Sequence, residues 1–382
     1  MPSLAFAGAG WVTAVHGLAA AGAADLPVVR VASRTARSAA RRARQTGAEA
    51  CGYDELPGGA DAVLVATPPS LHLREATRAV EAGAAALVEA PLAHTLDAAD
   101  LIVALAANAP AGPDRPGPGA ADPDSPGAEP DDPGRPPGAA GGAGPQTPIV
   151  AYGENLVHAP AVVAGVRACR GIGALTFLEV RVADERPDRH DHLEPAWGGG
   201  ALFHPGAHAV ALALLMAAPA RVVAAQAQLA AGGGLAAVDD DASVTLTFDT
   251  GLEADVRVTW RAAAPAWHAQ AASRTSAVHV ELVPTATTEL DGVPLTLPPP
   301  PPGLASPQLH DLGYVAQLAA LAADVSARRP ARCGPAVGRA VLEVICAAYT
   351  SARTGRPEAV PFTGPRDRTP LQLWHPDTPG PG

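Results

Sequence analysis

The side chains in this sequence that could do chemistry fall in a few short clusters. Thr67 and Pro68 follow the apolar run Val63 to Ala66, and Glu89, Ala90 and Pro91 follow Ala86 to Val88. Gly153, Glu154 and Asn155, with His158 just beyond, follow Pro148 to Tyr152, while His204 and His208 stand four residues apart. Apolar runs this short, bounded by proline or glycine, read as strands buried on both faces of a parallel sheet. Ligands of open α/β sheets bind beyond the carboxyl ends of such strands. The polar residues at three successive strand ends are therefore expected to face one crevice, with Glu154, Asn155 and His158 as candidate substrate contacts.

The chain begins with a strand, Leu4 to Ala7, that runs directly into Gly8-Ala9-Gly10-Trp11-Val12-Thr13. The first glycine suits a tight turn and the second lets backbone N–H groups approach a pyrophosphate at the start of the following helix. Gly8, Gly10, Trp11 and Val12 are thus candidate contacts to a dinucleotide. Thr13 replaces the third glycine of that fingerprint, so strand and helix are expected to pack slightly further apart. A second strand, Val28 to Ala32, ends where the ribose-reading residue of a dinucleotide fold stands. An acidic residue there would favour NAD, but this chain has Ser33 and Arg34, a hydroxyl and a guanidinium that suit a 2′-phosphate. The cofactor read from these residues is NADP, with NAD as the alternative. Arg37, Arg41, Arg42 and Arg44 read as a solvated helix face.

The elements that must position these groups fit a chain of 382 residues, long enough for two domains. Net charge −11 argues against an anionic nucleic-acid or membrane surface as partner. All 27 basic residues are arginine; the chain has no lysine. Four scattered cysteines without CxxC spacing, and an N-terminus without a basic leader, predict a cytoplasmic protein. The run from Ala209 to Ala218 is too short to span a bilayer. Pro68 and Pro69 stop the strand before them, Ser70 is the expected cap of the next helix, and Gly83 ends it. A helix is expected over Leu96 to Asn108. Residues 109–147, rich in proline, glycine and aspartate and nearly free of aliphatic side chains, read as a disordered acidic insertion. The expected division is 1–155, a Rossmann dinucleotide-binding domain, and 156–382, a domain for substrate and oligomerisation. In the second domain Leu175 to Val182, Val222 to Leu229, Ala242 to Phe248, Leu252 to Trp260 and Ala277 to Val283 have strand-like patterns. A polyproline connector, Pro298 to Pro302, and two helical stretches follow.

The ordered set GAGWVTAVH, SR, ATPPSLH (which adds His72 to the candidate cofactor contacts Thr67, Pro68, Glu89 and Pro91), EAPL and GENLVHAP resembles the Gfo/Idh/MocA oxidoreductases, the family of glucose–fructose oxidoreductase and inositol dehydrogenase. The segment from Trp197 through Gly198-Gly199-Gly200 to His208 is similar to that family's glycine run with an acidic residue and a histidine four apart on a helix, and Trp197 joins the candidate substrate contacts. The resemblance implies an α/β protein: an N-terminal Rossmann domain and a C-terminal α/β domain whose large, mostly antiparallel sheet often serves an oligomer interface, here a homodimer or homotetramer. It also implies hydride exchange between nicotinamide and a sugar-like or polyol substrate.

Two of the three proton-handling groups implied by the resemblance are missing, since Ala90 stands at the lysine position and His204 at the acidic one. His208 is kept. Hydride transfer from a carbinol still needs a group to take the hydroxyl proton. His208 is the first candidate, with His204 expected one helical turn earlier on the same face as a relay, each imidazole helping to keep the other neutral. Tyr152 reads as core. The His204/His208 spacing and His190-Asp191-His192 admit a zinc reading, but no glutamate follows the first histidine and the resemblance accounts for His208 without metal, so none is assigned. Two alternatives stay open: a cofactor-binding homologue without redox turnover, and a lyase- or hydrolase-like use of bound cofactor with no net redox change.

Overall fold

A computed structural model describes residues 1–22, 26–107, 148–188, 190–232 and 237–378. The expected insertion at 109–147 lies outside the described residues. The first sheet consists of β1 (Leu4–Ala7), β2 (Val28–Ala32), β3 (Glu49–Cys51), β4 (Ala62–Val65), β5 (Ala85–Glu89) and β6 (Val150–Gly153). Its order is β3-β2-β1-β4-β5-β6 and every pairing is parallel. β1, β4, β5 and β6 are buried at every position, which is why their sequences show no alternation. Helices α1 (Trp11–Gly22), α2 (Ala36–Thr46), α3 (His72–Glu81) and α4 (Leu96–Ala107) accompany these strands. The strand order reverses between β1 and β4, placing the ligand crevice at their carboxyl ends. Ser70 is not the helix cap: Pro69–Leu71 forms a short 3-10 turn first, and Leu71 occupies the cap position of α3.

In the second half α5 (Pro160–Gly171), β7 (Phe177–Ala183) and α6 (Pro205–Ala217) precede strands β8 (Val222–Ala230), β9 (Asp241–Phe248), β10 (Glu253–Thr259), β11 (Ala266–Ala272), β12 (Ala277–Val283), β13 (Thr287–Leu290) and β14 (Val293–Pro294). Helices α7 (Gln308–Asp311), α8 (Tyr314–Ala327) and α9 (Pro335–Thr354), strand β15 (Glu358–Ala359) and helix α10 (Pro370–Trp374) complete the chain. The sheet order is β14-β13-β12-β11-β7-β10-β9-β8-β15, antiparallel except for the parallel pair β7 and β10. Period-two burial on β9, β10 and β12 matches a sheet with one face on helices and one on water. β11 escapes the sequence because Ala-Trp-His-Ala-Gln-Ala-Ala has weak strand propensity; its pairing with β7 and β12 decides it.

The chain then returns to the first domain. Val315, Leu318 and Leu321 of α8 share a core with Ala19 and Ala20 of α1. The N–H of Tyr152 on the edge strand β6 donates to the Cys333 carbonyl at 2.8 Å, so the C-terminal segment satisfies backbone that would otherwise be an open edge.

Candidate functional site: a dinucleotide crevice with two carboxylate–imidazole pairs

The glycine loop sits where β1 meets β4. Gly8 has φ +126°, and a Cβ there would fall 2.3 Å from the Ala66 carbonyl oxygen, so only glycine permits this approach. At Gly10 a Cβ would meet nothing within 4 Å, and the backbone there borders open space at the start of α1. Thr13 is fully buried, and its hydroxyl donates to the Gly10 carbonyl at 2.7 Å. Trp11 is 53 % exposed and Val12 partly so. At the end of β2, Ser33 is half-buried and Arg34 exposed. Across the crevice Thr67 is buried with its hydroxyl unpartnered, beside the half-buried Pro68. Backbone N–H groups at a helix start, room above Gly10 and an unsatisfied hydroxyl fit the phosphates and ribose of a dinucleotide.

One arginine of α2 departs from the expected solvated face. Arg42 is only 8 % exposed, and its guanidinium donates to the Gly10 carbonyl at 2.7 Å and to Gln45 at 2.5 Å.

Glu89, at the end of β5, is buried and meets an imidazole that the sequence did not single out: Nε2 of His16, fully buried on α1, lies 2.5 Å from Glu89 Oε1. A carboxylate only accepts, so Nε2 carries the hydrogen, leaving Nδ1 buried without a partner. The signal was present as the histidine closing GAGWVTAVH, one helical turn beyond the loop. Pro91 is buried and Ala90 half-buried beside it. His72 does not face the crevice: it is buried, with Nε2 2.8 Å from the Thr67 carbonyl and Nδ1 3.2 Å from that of Leu92. Burial lowers its pKa despite these carbonyls, so the ring is neutral and its single N–H donates to only one of the two.

Beyond β6, Glu154 is completely buried and both its carboxylate oxygens lie 2.9 Å from Nδ1 of His208 on α6. Oε1 also accepts from the N–H of Leu156 at 3.2 Å, which fixes the carboxylate. Glu154 was expected to touch substrate; its two oxygens are instead spent on His208. With Nδ1–H given to Glu154, Nε2 is the His208 nitrogen left for a ligand, and the side chain is 19 % exposed. Burial alone would lower the His208 pKa, but the charge and hydrogen bond of Glu154, with Glu89 and Asp184 further off, raise it above the ordinary value. Asp184, which accepts from the indole N–H of Trp267 at 2.8 Å, is itself pushed up by burial. The Trp267 ring lies 5.9 Å from that of His208.

Asn155 donates to the Leu312 carbonyl at 2.7 Å, holding the approach to α8 rather than facing outward. The pKa of His158 is lowered to about 4 by burial and by Arg332, so it is neutral near pH 7. Tyr152 is core, as expected, and burial raises its phenol well above the usual value.

His204 does not lie one turn before His208 on a shared helix. It caps α6 from outside, with φ −88° and ψ −87°, and its ring stacks on His192 at 4.7 Å and on Trp260 at 6.4 Å, with Trp197 6.1 Å away. Burial and the His192 ring hold its pKa well below the ordinary histidine value. The two imidazoles thus do not keep each other neutral; burial governs one and Glu154 the other. The glycine run ahead of them is anchored by Asp239, which accepts from the N–H groups of Gly200 at 2.9 Å and Leu202 at 2.8 Å and from the Tyr349 hydroxyl. Among the described residues no three His, Cys, Asp or Glu side chains converge as a metal site; the side chains of His190 and Asp191 lie outside them.

A parallel sheet with a glycine loop at its reversal point, and a strand-end carboxylate of that sheet paired with a histidine from a second, mostly antiparallel domain, define a two-domain dinucleotide-binding oxidoreductase. Residues 3–111 match the oxidoreductase family with NAD-binding Rossmann fold, and residues 168–280 match the GFO/IDH/MocA C-terminal domain. The chain belongs to this Gfo/Idh/MocA family. Similar solved structures include GenD2 from gentamicin A biosynthesis in complex with NAD, at 22% identity and TM-score 0.75, covering 94% of this chain and 96% of that one. Another is a putative myo-inositol dehydrogenase from Sinorhizobium meliloti 1021, at 20% identity and TM-score 0.73, covering 94% and 100%. The aldose-aldose oxidoreductase from Caulobacter crescentus complexed with glycerol is similar at 18% identity and TM-score 0.73, covering 94% and 99%. No curated protein sequence matches the chain.

Proposed function

We propose that this protein exchanges a hydride between a nicotinamide dinucleotide and a carbinol or carbonyl of a sugar-like or polyol small molecule, with His208 as the proton-handling residue. The observation that carries this reading is the Glu154–His208 pair at the carboxyl end of the first sheet. The nicotinamide, when bound, supplies or accepts the hydride. The carboxylate holds Nδ1–H, which presents the lone pair of Nε2 to a hydroxyl proton. In the reverse direction the raised pKa keeps a proton at Nε2 for the carbonyl oxygen. Trp267, whose indole N–H donates to Asp184, lies beside the His208 ring. Ser33 and Arg34 support NADP over NAD, and the free cysteines support a reducing cytoplasmic compartment. The broad nine-stranded sheet of the second domain supports pairing of copies as a homodimer or homotetramer. Among the described residues no helix is long and apolar enough to cross a membrane.

Two observations favour a second reading, a cofactor-binding protein without turnover. Ala90 supplies no proton donor, and His204 stacks on His192 and Trp260 rather than joining His208. Titration with NADPH and NADH, followed by absorbance over a panel of sugars and polyols, separates the two. The proposed enzyme changes NADPH absorbance with at least one substrate; binding without any turnover favours the second reading, and turnover without net absorbance change a cycle that returns the hydride. Ala90→Lys with His204→Asp gives an independent check. Loss of an existing activity marks a site rebuilt around Glu154–His208, and a rise marks a weakened ordinary enzyme.

A further inference from the structure

We propose that Arg42 is a positioning residue for the pyrophosphate of the dinucleotide: it turns the Gly10–Trp11 peptide and places a buried positive charge behind the glycine loop. This rests on the dinucleotide reading of the site. The Gly10 carbonyl receives two donors, the Thr13 hydroxyl at 2.7 Å and Arg42 Nη2 at 2.7 Å. In a planar trans peptide the C=O and the following N–H point in opposite directions. A carbonyl held inward from two sides therefore directs the Trp11 N–H outward, to the side where Gly10 leaves open space and where an anion at the start of α1 would sit.

The charge of Arg42 is as unusual as its hydrogen bonds. The side chain is 8 % exposed, its Nε is buried with no partner, and the neighbouring charge that acts on it is that of Arg41. Burial, reinforced by Arg41, lowers its pKa, the direction expected of a guanidinium without an acid beside it. A buried cation is costly unless something anionic compensates it. The site lacks lysine altogether and has lost the third glycine of the loop to Thr13. An arginine on α2 that reaches the same carbonyl as Thr13 restores a rigid, positive cradle by another route, and a pyrophosphate supplies the missing negative charge.

The test compares adenosine with ADP by calorimetric titration, since only ADP carries the pyrophosphate, and repeats the NADPH titration. The gain in affinity from adenosine to ADP should shrink about tenfold in Arg42→Met, the size expected for losing a hydrogen-bonded charge, with adenosine itself little changed. Arg42→Gln, which keeps a donor for the Gly10 carbonyl but no charge, is the second variant should the methionine one not fold, and a loss in the same direction but smaller is expected, since only the charge is removed. A gain equal to the parent's in either folded variant overturns the proposal. So does a parallel loss for adenosine and ADP, which marks only a distorted domain. A parent protein that binds neither NADPH nor NADH overturns the dinucleotide reading itself, and the inference with it.

Discussion

Two influences set the proton affinity of His208 in opposite directions, burial lowering it and the carboxylates, Glu154 foremost, raising it, and the carboxylates prevail. Replacing His208 by Asn should reduce turnover about 100-fold or more, the ordinary worth of a general base, while the Kd for NADPH stays near that of the parent. Equal loss of cofactor binding would place His208 on the wrong ligand. Glu154→Gln removes the charge that raises the imidazole pKa and leaves the burial that lowers it. Oxidation needs neutral Nε2, so its rate rises as pH climbs through the His208 pKa, and in the variant that limb should move to lower pH. A limb that stays in place would separate Glu154 from proton transfer. Histidine 208 was legible in the sequence, but its partner was not. Glu154 and His208 are 54 residues apart, and nothing in residue type says that a strand-end carboxylate spends both oxygens on one imidazole.

At the scale of elements, α6 depends on what precedes it. The turn Gly198 to His204 is held by Asp239 from below, and a Cβ on Gly200 would fall 2.0 Å from the Asp239 carbonyl oxygen. Gly200→Ala should therefore cost about 1–3 kcal/mol by overpacking, read as a lowered melting temperature, and should displace His204 and His208 with the helix start. A variant as stable and active as the parent would show that the turn yields. The glycine run reads in the sequence only as permissive backbone. Asp239 and Tyr349, which require it, come from beyond β8 and from α9, so the need for glycine appears only when these elements meet. In the same way Arg42 follows the pattern of a solvated arginine helix, and only the approach of α2 to the glycine loop shows that one of its arginines points inward.

For the whole molecule, histidines decide how it responds to acid. The folded pKa of His158 is about 4 against an ordinary value of 6.5, and His72, His94, His204 and His268 are also lowered, in each case chiefly by burial. Below the ordinary value the unfolded chain takes up protons that the folded one refuses, so the stability these groups contribute is present above it and is lost as pH falls toward 4. His208 works the other way, because its raised folded pKa favours the folded state below the ordinary value. Five lowered histidines against one raised predict a melting temperature that falls from pH 7 to pH 5. A flat profile over that range would mean that these rings are hydrated in solution.

By itself the sequence determined the parallel sheet, the glycine loop and the crevice beyond its strand ends, because apolar runs, proline stops and the Gly8 turn are local consequences of backbone sterics and burial. It also determined that no lysine could serve as proton donor. Tertiary structure alone decided which groups stand together. The Glu89–His16 and Glu154–His208 pairs, the stacking of His204 away from His208 and the inward turn of Arg42 join residues distant in the chain. Hydrogen bonds and desolvation act over a few ångströms of space, a separation that spacing along the chain does not encode.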